Sequence, residues 1–175
     1  MLVLMLALGC STKSGDVGTD DTGPSGETGL SGETGETADS GPAGEGVVAL
    51  TFAMDADYID VMDEPPVGRF WGTIWRGEDV TGVGPNDGAE GIGDVYIETL
   101  DLTPSGEPTE PLFTSAALPA GGICVLGFLD SDANADSESP GPDKRDPVTL
   151  PADNRFDVVA DQTTTIQVYF GFLNP

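Results

Sequence analysis

The residues best placed to do chemistry in this chain sit in one short stretch. Asp130, Asp132, Asn134 and Asp136 put four oxygen-bearing side chains at every second position, directly after the apolar run ICVLGFL. Carboxylates at that spacing, on a segment free to curl, converge on a common point, and without a cation that convergence is repulsive. The chemistry that suits them is coordination of a hard divalent ion. Ca2+ takes roughly six to eight oxygen ligands in flexible geometry, whereas Mg2+ demands a stricter octahedron. A further carboxylate must close the shell. Asp146, where the segment returns before Pro147, is the first choice, with Glu138 and Asp143 behind it. Ca2+ in a structural role is therefore the expected cofactor, and a merely solvated acidic loop is the alternative.

This loop lacks the helix-loop-helix calcium signature. Counting from Asp130, the sixth residue is Ala135 where that motif turns on Gly, and the twelfth is Gly141 where it needs a bidentate Glu. Composition removes other chemistries. The chain carries 31 Asp and Glu against 6 Lys and Arg, a formal charge of −25, and no histidine. Such a surface repels phosphate backbones, so nucleic acid is not an expected partner, and without histidine neither a Ser-His-Asp triad nor a His-ligated zinc can be built. Asp55, Asp57, Asp60, Asp63 and Glu64 could supply a glycosidase-like carboxylate pair or extra calcium ligands, but no motif singles out a pair. Cys124, inside the apolar run, reads as a buried small hydrophobe with no basic neighbour in sequence to activate it. No catalytic residue and no enzymatic activity are expected.

The elements that must hold this loop are strands. Val48, Leu50, Phe52 and Met54 alternate with smaller residues; residues 70–75 carry both tryptophans, Trp71 and Trp75; residues 95–102 are rich in β-branched side chains. Ile123 to Leu129 is apolar at every position, as in the middle of a sheet; residues 156–160 alternate; and Ile166, Val168, Phe170 and Phe172 keep a strict period of two. Residues 76–94 read as a long loop with one helical turn near residues 78–80. No stretch carries a capped helical period. About seven short strands joined by Gly, Pro and Asp connections predict an all-β fold, a single antiparallel Greek-key β-sandwich over residues 47–175. Trp71 and Trp75 share one strand face, either as core or as an exposed aromatic platform for a glycan.

Ahead of that domain, residues 11–46 hold one large aliphatic residue, Leu30, no aromatic, eight acids against one lysine, and the pentapeptide SGETG twice. Such a segment cannot bury enough apolar surface to offset its ordering entropy and is expected to be a disordered, extended tether. The first ten residues, MLVLMLALGC, are too few to span a bilayer. Their run Leu6-Ala7-Leu8-Gly9-Cys10 resembles a bacterial lipobox, which implies cleavage before Cys10 and its lipidation. Ser11 after the cysteine resembles the outer-membrane sorting pattern of Gram-negative lipoproteins. In the domain, Leu118-Pro119-Ala120-Gly121 leading into a strand that ends at Asp130, followed by an acidic loop and Asp146-Pro147-Val148, resembles prealbumin-like and carboxypeptidase-regulatory-like β-sandwich domains. These features predict a lipid-anchored envelope surface protein that touches the membrane through its lipid and presents a calcium-stabilised sandwich for binding or structural roles, with a protein or glycan as ligand. A carbohydrate-binding module or hydrolase accessory using Trp71 and Trp75 is the second reading.

Overall fold

The computed structural model describes residues 44–62, 64–103 and 110–175; Cys10, Asp63 and most of the expected tether lie outside these residues. The described chain is all-β, as expected, with nine strands: β1 (Glu45–Met54), β2 (Val67–Arg76), β3 (Gly93–Asp101), β4 (Phe113–Thr114), β5 (Leu118–Pro119), β6 (Gly121–Asp130), β7 (Pro147–Thr149), β8 (Arg155–Val158) and β9 (Thr163–Leu173). One short helix, α1 (Ala56–Ile59), follows β1, with the Asp55 carboxylate accepting from the Asp57 N–H at 3.0 Å as its cap. The helical turn expected near residues 78–80 is a single 3-10 turn at Gly77–Asp79.

The strand order is β3-β2-β6-β7-β9-β1-β4, with β5 on β1 and β8 on β6. Two features of the expected sandwich are corrected here. The sheet is mixed, because β1 and β9 pair in parallel over eight residues, from Val47 opposite Thr163 to Met54 opposite Phe170. The strands also form one nearly closed ladder in place of a purely antiparallel pair of sheets. Strand composition does not encode this, since a parallel pair joins the two ends of the domain and leaves no hairpin turn in the sequence to announce it.

Closure is visible in the core. Phe70 of β2 meets Phe52 of β1 edge-on at 5.0 Å between ring centroids and Phe170 of β9 at 5.7 Å, although several strands separate β2 from both along the ladder. The curled inner face buries Val48, Leu50, Ile74, Val125, Leu129 and Val168 around these rings. Room for Phe70 comes from two glycines facing each other across the ladder, Gly72 and Gly127. A Cβ on Gly127 would stand 2.4 Å from the Trp71 carbonyl oxygen and 2.7 Å from the Phe70 ring.

The register of β2 against β6 sorts the remaining side chains. Ile123, Val125 and Leu129 point inward, while Cys124, Leu126, Phe128 and Asp130 point outward, opposite Trp75, Thr73, Trp71 and Arg69. Trp71 and Trp75 thus lie on the outer face, part-buried, and take no part in the core. At the end of β9 the strict alternation fails. A register shift against β7 between Val148 and Thr149 leaves Phe170 in the core and turns Phe172 to the outer face, 39 % exposed. Because β6 runs antiparallel to β7, and β7 to β9, strands β1, β6 and β9 all point the same way. Asp130 therefore lies at the pole of the domain opposite Glu45, where the preceding chain joins.

Replacing Gly127 by alanine is expected to cost about 1–3 kcal/mol of unfolding free energy through overpacking against Phe70 and the Trp71 backbone. Urea denaturation checks this, and a variant as stable as the parent would show that the Phe70 ring does not occupy this position.

Candidate metal centre

Asp130 ends β6, and the chain then leaves the sheet through Ser131 with its backbone still constrained by the ladder. The next turn folds back on the Asp130 carboxylate. Asp130 Oδ1 accepts the Asn134 N–H at 3.0 Å and Asp132 Oδ1 accepts the same N–H at 3.3 Å, so the two carboxylates share one donor across a turn in which Ala133 takes φ +60°. Asp and Asn favour such side chain to backbone turns, which explains why this sequence curls at once and does not continue as a strand. The Asn134 amide then donates from Nδ2 to Asp132 Oδ2 at 2.7 Å and to Asp143 Oδ2 at 2.6 Å. A neutral donor lies between two carboxylates, where a cation would otherwise be needed.

The return limb is fixed separately. Asp146 Oδ2 accepts the Asp143 N–H at 3.0 Å; the Arg145 N–H donates to the Asn174 carbonyl at 2.7 Å, and the Asn174 N–H to the Asp146 carbonyl at 2.9 Å. These bonds clamp residues 145–146 to the chain just after β9, while the Arg145 guanidinium donates to the Val61 carbonyl. A cleft of about 190 Å³ opens beside the loop, lined by Met62, Glu64, Ser131, Asp132, Asp143, Lys144, Arg145 and Asp146.

Two carboxyl groups of this cluster are buried. Asp146 is 4 % exposed, and burial pushes its carboxyl up from the usual carboxylate range to about 6, with the charges of Asp143, Asp130 and Asp132 adding to the rise and the Asp143 N–H opposing it. Asp130 is 0 % exposed, and its Oδ2 has no hydrogen-bond partner. A buried carboxyl oxygen without a donor is costly and uncommon. Arg69 stands directly across the ladder from Asp130 but turns its guanidinium to Glu98, Nε to Oε1 at 3.6 Å.

Of the five residues expected as ligands, Asp130, Asp132, Asn134 and Asp146 are brought together, and Asp143 joins them through Asn134. Asp136 lies farther out and exposed, its Oδ1 accepting the Glu138 N–H at 2.9 Å. Glu64, from the connection before β2, reaches the cleft from another part of the chain. Among the described residues no three Asp, Glu, His or Cys side chains are already drawn into a ready ligand set. Cys124, away from this cluster, is buried, and burial pushes its thiol up; Arg155, opposite it in the ladder, offsets part of that rise while donating to the Gly77 and Val80 carbonyls.

The raised Asp146 group has a signed consequence for the metal-free protein. Its folded value, about 6, exceeds the unfolded value near 4, so between these limits the folded state holds the extra proton. Stability is expected to fall as pH rises from about 4 to about 6 and to level off above that, and Asp146→Asn is expected to abolish this component of the fall. Urea midpoints measured in EDTA across that range check both statements; equal slopes in the variant and the parent would refute them. The chain matches no known family model, no curated protein and no solved structure.

Proposed function

We propose that this chain is a lipid-anchored bacterial envelope protein that presents a calcium-stabilised β-domain at the end of an acidic tether, with a binding or architectural role and no catalytic one. The observation that carries the calcium reading is the orphaned Oδ2 of fully buried Asp130, beside a turn that holds Asp132 and Asn134 and a returning limb that carries Asp143 and Asp146. A hard cation supplies the missing partner, holds Asp146 ionised and takes over the bridging task of the Asn134 amide, whose oxygen becomes a ligand when the amide turns over. Glu64, which lines the cleft, is a further carboxylate for the site. The loop spanning residues 131–146 is long for a connection between two strands, and an ion that binds only the folded form offsets the cost of ordering it. The cleft lies at the pole of the domain away from Glu45. The prealbumin-like resemblance that goes with this proposal is supported by the Leu118-Pro119-Ala120-Gly121 turn entering β6.

Calcium at ten times its Kd is expected to raise stability by about 1.4 kcal/mol over EDTA, seen as a higher melting temperature. Asp130→Asn should lose this increment yet melt in EDTA at or above the parent, because it removes a buried carboxyl group. Identical melting curves in EDTA and calcium would end the metal reading. Mass spectrometry of the native protein isolated from membranes is expected to show an acylated Cys10 as the first residue, and a soluble protein with an unmodified Cys10 would end the anchor reading.

A further inference from the structure

The outer face of the sheet carries a row of side chains that the cation site does not use. Tyr96 of β3 is paired with Trp71 of β2, Trp71 with Phe128 of β6, Phe128 with Val148 of β7, and Val148 with Phe172 of β9. Directly paired residues share a face, so five strands contribute one continuous apolar strip, four of its five members aromatic. At about 4.8 Å per strand the strip is roughly 19 Å long. Trp71 and Tyr96 pack with ring centroids 4.6 Å apart, and Tyr96 remains 43 % exposed. Trp75 lies on the same face of β2. Two loops wall this strip into a groove of about 670 Å³: Val83, Gly84 and Pro85 on one side, Pro140 and Pro142 on the other. The volume is that of a ligand site, and the aromatic content far exceeds what a solvated sheet face needs.

The polar groups decide what fits. In a chain of net charge −25, the groove's lining among the described residues contains one charged side chain, the exposed Asp94, and no cationic one. The surrounding acidic field disfavours an anionic ligand, and a single carboxylate is little for a polycation to pair with. The ligand class is thus neutral. Several of the lining's polar groups are already engaged: Tyr96 Oη donates to Glu98, Thr149 Oγ1 accepts the Gly127 N–H at 2.7 Å, and Asn174 Nδ2 donates to the Asp143 carbonyl at 2.6 Å. Trp71 Nε1 is buried with no hydrogen-bond partner. The lining also offers an acceptor, Asp94, paired with Thr73 across the ladder, and a donor, the Trp75 indole N–H. A proline-rich segment carries carbonyl acceptors but almost no donors and would leave Asp94 unmet. A sugar hydroxyl both donates and accepts, and the C–H face of a sugar ring stacks on an aromatic plane.

We propose that the groove formed by Tyr96, Trp71, Trp75 and Phe172, floored by the buried Phe128, binds a neutral oligosaccharide, its rings laid across the strands against the aromatic side chains and its hydroxyls on Asp94, Thr73 and the Trp75 indole. The site stands on the outer sheet face and does not require the cation reading to be correct. Both tryptophans of the chain line the groove, so intrinsic fluorescence reports occupancy directly. The probes are soluble hexasaccharides of glucose, xylose and N-acetylglucosamine, with a sulfated hexasaccharide and a proline-rich peptide as contrasts, titrated into the full chain. A saturable change is expected with at least one neutral sugar and a much weaker one with the sulfated probe. Tyr96→Ala and Asp94→Asn, both at exposed positions, should each weaken binding about tenfold by calorimetry while leaving the melting temperature unchanged. No saturable response to any neutral sugar, tighter binding of the peptide, or parent-like affinity in both variants would each overturn the proposal. Loss of the calcium-induced melting shift in Asp130→Asn with sugar binding retained would separate the fate of this site from that of the cation site.

Discussion

The ladder between β2 and β6 constrains the rest of the molecule. Eight consecutive residues of each strand are opposed, from Arg69 with Asp130 to Arg76 with Ile123, and a strand can send a side chain only to one face or the other. That parity places Leu129 against Phe70 in the core and leaves Asp130, one residue later, on the outer side at the point where the strand ends. Slipping β2 by one residue would turn Trp71 and Trp75 toward the closed interior and Phe70 and Ile74 out of it. The Gly72 and Gly127 pair secures the register, since only a position without a Cβ admits the Phe70 ring between the strands, and that ring in turn touches β1 and β9 and holds the ladder closed.

Much of this was legible in the residue pattern. The unbroken apolar run of β6 marked a strand buried on both sides, and its abrupt change to Asp and Asn marked both its end and the turn that follows. The alternate spacing of Asp130, Asp132 and Asn134 pointed to a chain that curls at once, and the turn has a local cause: the Asp130 and Asp132 carboxylates both capture the Asn134 backbone N–H. The same logic over-extended to Asp136, which starts a second small turn of its own with Glu138. Asp143 ranked behind Asp146 in sequence, yet Asn134 bridges to it. The contact depends on how the return limb is clamped to Asn174, thirty-one positions away, and no local pattern carries that information.

The parts that were not legible are the ones that rest on long-range pairing. Parallel alignment of the first and last strands leaves no turn signal. The bulge that ejects Phe172 from the core comes from the mismatch between β7 and β9 and hides inside an otherwise perfect alternation. Trp71 and Trp75 could be assigned to one face from their spacing but not to the inside or the outside of the sheet, because β2 is flanked on both edges and both of its faces are apolar.

The acidic cleft and the aromatic groove meet at the loop that follows β6. Its inner edge carries Asp132 and Asp143 into the acidic cleft, and its outer edge carries Pro140 and Pro142 into the wall of the aromatic groove. Asn174 Nδ2 donates to both the Pro142 and Asp143 carbonyls, at 3.2 and 2.6 Å, tying the groove wall and the acidic cluster to the same point at the end of β9. One segment, residues 131–146, therefore lines both the acidic cleft and the aromatic groove, and a single side chain at the end of β9 holds the stretch where the two meet.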